Sequence, residues 1–169
     1  MNKKNSYFGI ILVFITLILQ TTILANISFK GIKPDYVLIM LILLSNNMGS
    51  IKGQLLGFST GIVEDFLSLS PLGFNSLIKT IIGYLSGTTY GKIFLDPIFV
   101  PIIFVFLGTL IKSLLSYLLL SIFIAEKAEF IFTSALLIEI ALNILITPLL
   151  YLILKLIRVL PFSNNSRIL

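Results

Sequence analysis

The sequence predicts an all-α membrane protein with six transmembrane helices, and its composition and its apolar pattern carry that prediction. Hydrophobic residues make up 57% of the 169 residues and charged residues 11%, with a mean hydropathy of +1.11. A soluble domain carries roughly 25% charged residues, because it must present a solvated surface. The apolar runs are long and continuous, whereas a membrane barrel alternates over segments of about 10 residues. We therefore expect helices to cross the bilayer.

The residue types that are missing exclude several kinds of chemistry. The chain has no cysteine, so disulfides and thiol chemistry are excluded, and it has no histidine, the commonest metal ligand and general base. The net charge of +5 comes from basic residues that are scattered among apolar segments rather than clustered. Nucleic-acid binding needs a basic face, so we interpret the positive charge as a topology signal.

The first two helices are predicted from a long and a short apolar run. Residues 7–25 can cross about 30 Å of hydrocarbon, and the further apolar runs behind them favour a retained helix over a signal peptide. Pro34 suits the first turn of the next helix, and Asp35 favours its positive end. That second helix, residues 35–44, is short for a full span, which indicates local thinning of the bilayer, a kink or an irregular end.

Four more helices follow, separated by turns that contain glycine, proline or charged residues. Pro148 lies inside the last apolar run and predicts a kink there. Glycine and proline mark the breaks before the third, fourth and fifth helices, because neither residue continues a helix well. A charged connector of Glu126, Lys127 and Glu129 precedes the sixth helix. These helices are predicted over residues 51–67, 74–90, 98–125 and 130–159.

An even number of helices places both termini on the same side of the membrane. Residues 7–159 form the predicted transmembrane domain, between a lead of residues 1–6 and a tail of residues 160–169. Short cytoplasmic loops carry the excess of lysine and arginine. The side that holds the termini has the larger number, so both termini are predicted to be cytoplasmic. Its basic residues are Lys3, Lys4, Lys52, Lys92, Lys155, Arg158 and Arg167, against Lys30, Lys33 and Lys127 on the other side.

Small residues recur at every fourth position in the third and fourth helices. Residues four apart lie on one helical face, so each helix has a smooth ridge that a second backbone can approach closely. A turn over residues 70–73 would fold the two ridges against each other. The glycines predicted to set this helix packing are Gly53, Gly57, Gly61, Gly83 and Gly87.

Ionisable side chains within the predicted helices need partners, because charge at membrane depth is costly. Asp65 and Lys79 flank the turn within about 10 Å of the outer helix ends, which predicts an ion pair with Asn75 beside it. Such a pair either pins the hairpin or contacts a partner or ligand, and the residues alone leave both open. Glu64 is expected to face the headgroups or another helix.

Lys112 and Glu139 form a second predicted pair. They lie about 20 Å and about 14 Å below the outer surface, and a lysine stem can span that difference. Asn143, one turn after Glu139, would complete a polar cluster on the same face. Exchanging the two charges should then preserve folding better than either single substitution. An ion or proton carrier built on this pair is the least supported function, since a single pair makes a poor relay.

Catalysis is not expected from the acidic residues. Acid–base work needs two carboxylates that share a substrate, but Asp65 and Asp96 fall at opposite ends of the membrane. Glu139 has a second carboxylate nearby only if the third and sixth helices meet. The sequence also lacks a phosphate-binding glycine loop, a cluster of metal ligands and a serine with an adjacent base. We expect no cofactor and no metal.

A series of motifs between residues 20 and 87 points to a known family. A glycine-rich third helix ends in Asp65 and is followed by Ser-Pro-Leu-Gly-x-Asn, a lysine and Gly-Tyr-Leu-x-Gly. The first helix ends near Gln20-Thr21-Thr22, and the second begins with Pro34-Asp35. This pattern resembles the rod shape-determining protein MreD family. The last two helices match it only in hydrophobic character, so the resemblance implies no role for Lys112 or Glu139.

The resemblance implies a non-catalytic subunit of the bacterial cell-elongation machinery, in the cytoplasmic membrane. Members of that family bind MreC, a membrane-anchored protein with a large extracytoplasmic part. With MreC they link the MreB cytoskeleton to the peptidoglycan synthases, RodA and a class B penicillin-binding protein. The resemblance also implies a membrane fold similar to the substrate-binding subunits of energy-coupling-factor transporters.

Two functions remain open from the sequence. The first is a membrane scaffold that binds MreC, with the outer segments 34–35 and 71–75 as predicted contacts. The second is a small-molecule-binding membrane subunit of a vitamin importer, which needs an outward cavity with a few convergent polar groups. Recovery of MreC with the purified protein would favour the first, and a vitamin retained at stoichiometry would favour the second. The polar side chains that could line such a cavity are Gln20, Asp65, Asn75 and Lys79.

Overall fold

The computed structural model describes residues 3–22, 28–68, 70–91, 98–123, 134–157 and 159–160. The predicted charged connector around Glu126, Asp96 and the tail beyond residue 160 lie outside these described residues. The all-α class is confirmed, since the described chain has no strand beyond an isolated bridge between Phe29 and Ile32. Its six helices are α1 (Lys3–Thr22), α2 (Tyr36–Met48), α3 (Ser50–Ser68), α4 (Phe74–Gly87), α5 (Phe99–Phe123) and α6 (Ser134–Leu156).

Within the described chain, α5 and α6 are long and apolar enough to cross a membrane. The qualifying stretches are Phe99–Ile122 and Ser134–Leu156, with mean hydropathies of 2.1 and 2.2. In an apolar 18-residue window of each stretch, only 17% and 22% of the residues are buried, so most residues there are at least partly exposed at the surface of the bundle. Shorter apolar stretches occupy Tyr7–Thr22 and Tyr36–Met48.

The short helix α2 runs through the centre of the bundle. Every residue from 37 to 46 is buried, and α2 packs against each of the other five helices. A helix that is apolar on all sides needs an apolar environment on all sides, and here the neighbouring helices provide it. Its 13 residues form a regular helix, so the predicted kink or irregular end is not present.

The prediction that α2 ends at residue 44 was wrong, because the helix continues to Met48. The polar residues that suggested an ending are accommodated inside the helix: the Asn47 side chain donates to a backbone carbonyl one turn back at 2.9 Å. Gly49 then ends the helix with a φ of 91°, a conformation that favours glycine, and its N–H donates to the Ser45 carbonyl at 3.0 Å. α3 begins at the next residue, so α2 and α3 meet at a sharp corner.

The helices α3 and α4 form a closely packed antiparallel pair that meets along the glycine rows. A Cβ on Gly57 would lie 2.6 Å from the carbonyl carbon of Lys79, and a Cβ on Gly83 would lie 2.8 Å from that of Gly53. Real Cβ atoms essentially never come within 3.0 Å of such a backbone atom, so this contact needs glycine. The two ridges therefore face each other, as the spacing predicts. Backbone approaches of this kind occur at Gly53, Gly57, Gly61, Gly83 and Gly87.

Candidate functional site

The first turn of α2 has backbone N–H groups without intrahelical partners, and three side chains accept from them or from the residue before them. Asp35 is the N-cap, and its carboxylate accepts from the Leu38 N–H at 2.9 Å. Gln20 of α1 accepts from the Val37 N–H at 3.0 Å. Asn143 of α6 accepts from the Asp35 N–H at 2.9 Å. The start of the central helix is thereby tied to both α1 and α6.

The Asp35 carboxylate also lies between two lysine ammonium groups. Its Oδ2 is 2.8 Å from the Nζ of Lys112 on α5, and its Oδ1 is 3.9 Å from the Nζ of Lys79 on α4. Each lysine holds a second carboxylate: Lys112 pairs with Glu139 of α6 at 2.7 Å, and Lys79 pairs with Glu64 of α3. Positive and negative charges therefore alternate along a line, which we call the charge network: Glu64, Lys79, Asp35, Lys112 and Glu139.

The charge network is enclosed most completely at its centre. The side chains of Asp35 and Lys79 are 6% and 2% exposed. Burying an ion costs several kcal/mol after relaxation, unless opposite charges and hydrogen bonds compensate for the lost water. Three carboxylates and two ammonium groups give a formal charge of −1. The helix start at Asp35 carries a partial positive charge of about +0.5, which offsets part of that excess.

The charge network and its hydrogen bonds join all six described helices within one half of the bundle. The contributing residues lie in the C-terminal halves of α1, α3 and α5 and in the N-terminal halves of α2, α4 and α6. Helices that alternate in direction bring these halves together. The residues are Gln20 of α1, Asp35 of α2, Glu64 of α3, Lys79 of α4, Lys112 of α5, and Glu139 and Asn143 of α6.

The predicted ion pair between Asp65 and Lys79 is wrong. Asp65 instead caps α4 from a distance: its carboxylate accepts from the N–H groups of Gly73 and Asn75, each at 2.9 Å, and of Ser76 at 3.3 Å. The cap position of α4 is a glycine with no side chain, so its orphan amides need an acceptor from elsewhere. Lys79 lies further along α4 and pairs with other carboxylates of the charge network.

Other predicted site residues also have partners different from those expected. The Asn75 side chain donates to Ser70 within the turn at 3.2 Å and does not stand beside an ion pair. Of the two environments expected for Glu64, lipid headgroups or another helix, the structure shows the second, because Glu64 faces α4. Residues 34–35 were predicted to contact an extracytoplasmic partner, but both are buried, because they lead directly into the central helix and Asp35 is its N-cap. Residues 71–73 are exposed, and their partner contact stays a prediction.

The contact predicted between Lys112 and Glu139 is present, but the pair is not isolated. Lys112 also bonds Asp35, which lies 77 residues earlier in the chain. Asn143 does lie in the same cluster: it binds the Asp35 backbone and donates to the Thr109 hydroxyl at 3.1 Å. Local pattern in the sequence does not signal the contact of Asp35 with this pair, because lipid-facing and core-facing side chains in a membrane are both apolar.

Exchanging the charges of Lys112 and Glu139 is therefore expected not to preserve folding. Lys112→Glu places a carboxylate against Asp35, and the compensating lysine at position 139 does not remove that repulsion. We expect the double variant to give no more monodisperse protein than the poorer single variant, measured by size-exclusion chromatography in detergent. A swapped variant that elutes like the wild type would mean that the pair acts alone.

The side chains that the sequence suggested for a vitamin cavity form bonds within the chain. They form hydrogen bonds with backbone groups at helix starts or with the α3–α4 turn, or they form ion pairs with other side chains. In the described chain, a gap of about 120 Å³ lies between α4 and α5, with a mainly apolar lining that includes Ile82 and Phe104. No group of three or more metal-ligating side chains occurs among the described residues. The side chains held within the chain are Gln20, Asp65, Asn75 and Lys79.

Comparison with known proteins identifies the family. A family profile described as "rod shape-determining protein MreD" matches residues 1–157. No curated protein and no solved structure matches the chain. The family match extends over all six helices, including α5 and α6, for which motif resemblance alone supplied no specific residues. It therefore contains every member of the charge network, and the chain belongs to the MreD family of rod shape-determining membrane proteins.

Proposed function

We propose that this protein is a non-catalytic scaffold of the bacterial rod-shape complex that binds MreC and supports peptidoglycan synthesis. Beside the family match, the proposal rests on one observation: the polar side chains of the cluster bind one another across the helices. The charge network joins five helices to one another, and Gln20 attaches the sixth, α1, to the same cluster by hydrogen bonds. A bundle held in one arrangement suits a subunit that presents fixed faces to other proteins. MreB, RodA and a class B penicillin-binding protein would be reached through MreC.

The environment of the carboxylates supports a structural role over acid–base chemistry. Each carboxylate of the charge network lies beside a lysine ammonium group. A general acid or base must instead exchange a proton with a substrate that lies within hydrogen-bond reach. The side chains at the start of α2 bond helix ends and one another, which is the arrangement expected of groups that stabilise a fold.

We also propose that all six helices span the cytoplasmic membrane, with both termini in the cytoplasm. The alternating helix directions at the charge network support this topology, and the distribution of lysine and arginine gives its orientation. The half of the bundle that contains the charge network then lies toward the outside, where the large part of MreC is located. The likeness to the substrate-binding subunits of energy-coupling-factor transporters stays a prediction.

Purification from native membranes tests this function. The tagged protein, extracted in mild detergent, is expected to recover MreC at near-equal amounts, and its depletion is expected to make rod-shaped cells round. An unrelated six-helix membrane protein with the same tag is the control for non-specific recovery. Failure to recover MreC, together with a vitamin retained at stoichiometry, would replace the scaffold with the importer subunit.

A further inference from the structure

The charge network is open on one side. At its α3–α4 end, Lys79 and Glu64 are 2% and 13% exposed, and the adjoining backbones touch along the glycine rows. At its α5–α6 end, Lys112 and Glu139 are 25% and 21% exposed. An ion pair that faces lipid is unfavourable, because hydrocarbon offers neither charge nor hydrogen bonds. Covering the α5–α6 end of the charge network with another molecule would therefore be favourable.

The burial of α5 changes at the same place. In its first half, residues 101, 105, 108 and 109 are buried, but none of residues 110–122 is. Ser116 lies one turn beyond Lys112 on the same face, and the exposed Ala135 lies one turn before Glu139. Small side chains at these positions allow another helix to come close. We call the surface formed by Lys112, Ser116, Ala135 and Glu139 the α5–α6 face.

The charge of the α5–α6 face selects among possible occupants. Lys112 is shared between Asp35 at 2.8 Å and Glu139 at 2.7 Å, and Glu139 is the more exposed of these two carboxylates, so it is the one that a further cation can reach. A second copy docked symmetrically through this face would bring Glu139 against its own equivalent, and like charges in a desolvated contact are unfavourable. Anionic lipid phosphate is disfavoured for the same reason. The complementary occupant is a membrane-spanning segment with a lysine or arginine at this depth, five residues into α6.

We propose that the α5–α6 face binds the membrane-spanning segment of the partner protein, and that a basic side chain of that segment contacts Glu139. This inference rests on the proposed function, with MreC as that partner. The basic group would complete the alternation of charges, since Glu139 is the last member of the line. Charge-assisted contacts that are withdrawn from water contribute strongly to holding a complex together.

Two matched glutamine substitutions test the contact. Glu139→Gln keeps the side-chain size, and Lys112 keeps Asp35, so the protein is expected to remain folded. We expect the MreC recovered per folded monomer to fall at least about tenfold, in line with the loss of a buried charge pair. Glu64→Gln is the control, because it removes the carboxylate at the other end of the same network. Unchanged recovery with Glu139→Gln, or equal loss with Glu64→Gln, would overturn the proposal.

Site-specific photocrosslinking with co-expressed MreC locates the contact independently. A photoreactive phenylalanine analogue at Ser116 or Ala135 is expected to give an adduct with MreC. The same residue at the exposed Leu114 or Leu137, on the opposite faces of α5 and α6, is expected to give none. Adducts with a second copy of this chain, adducts with lipid alone, or MreC adducts from the opposite faces only would each contradict the proposal.

These outcomes distinguish a failure of the proposed scaffold function from a failure of the α5–α6 face as the docking site. If MreC is not recovered even with the unsubstituted protein, the proposed function fails and the docking proposal fails with it. If MreC is recovered but crosslinks elsewhere, the scaffold function stands and only the α5–α6 face is wrong.

Discussion

Lys79→Met is expected to lower the free energy of unfolding by about 3–5 kcal/mol, the cost typical of removing one partner from a buried ion pair. The methionine fills a similar length but leaves Glu64 and Asp35 without their shared ammonium group. The formal charge of the network then changes from −1 to −2 in a site that is almost closed to solvent. Denaturation in mixed micelles, followed by far-ultraviolet circular dichroism, measures the change without tryptophan, which the chain lacks.

A second substitution in the same background distinguishes charge from packing. Adding Glu64→Gln to Lys79→Met returns the formal charge to −1, so we expect it to restore at least half of the lost stability. Replacing a buried pair by neutral groups of similar size is often tolerated, whereas breaking the pair is not. If the double variant is less stable than Lys79→Met alone, the loss comes from the packing of the lysine stem and not from its charge.

Gly57→Ala is expected to destabilise the protein relative to Gly108→Ala by about 1–3 kcal/mol, the usual cost of overpacking. A Cβ at position 57 would meet the backbone of α4 at Lys79, which can move only if the helices separate. A Cβ at Gly108 would meet the end of the Ile42 side chain, which can rotate away. Both changes gain the same helix propensity of about 1 kcal/mol. The difference in stability between the two variants therefore measures the cost of the Cβ contact at position 57.

The consequence of Gly57→Ala should extend beyond stability. The backbone that position 57 touches belongs to Lys79, whose ammonium group lies between Glu64 and Asp35. Moving α4 outward would therefore lengthen the central contacts of the charge network. We expect Gly57→Ala, and not Gly108→Ala, to reduce the recovery of MreC per cell as well as the thermal stability. Equal thermal stability of the two variants would show that the glycine row is not needed for close packing.

The hairpin of α3 and α4 shows what the local spacing of residues can predict about helix packing. Glycine at every fourth position, on two segments joined by a short turn, leaves one antiparallel arrangement in which both ridges are used. The contacts of Gly53 and Gly57 follow that arrangement. The same reasoning failed for the charges. Asp65 continues the glycine row and therefore faces α4, but its carboxylate accepts from the orphan N–H groups at the start of that helix. Lys79 lies further along α4 and pairs with Glu64 instead.

By itself, the sequence determined the membrane class, six helical segments, the glycine-lined hairpin and the resemblance to the MreD family. Only the tertiary structure decided that α2 is the central helix and that Asp35 joins two lysines. In a membrane, lipid-facing and core-facing side chains are both apolar, so hydrophobic pattern does not reveal which helix is enclosed. The contact between Asp35 and Lys112 spans 77 residues and depends on where each helix stands in the bundle. Local periodicity determines helices and their ridges, but the pairing of buried charges follows from the placement of all six.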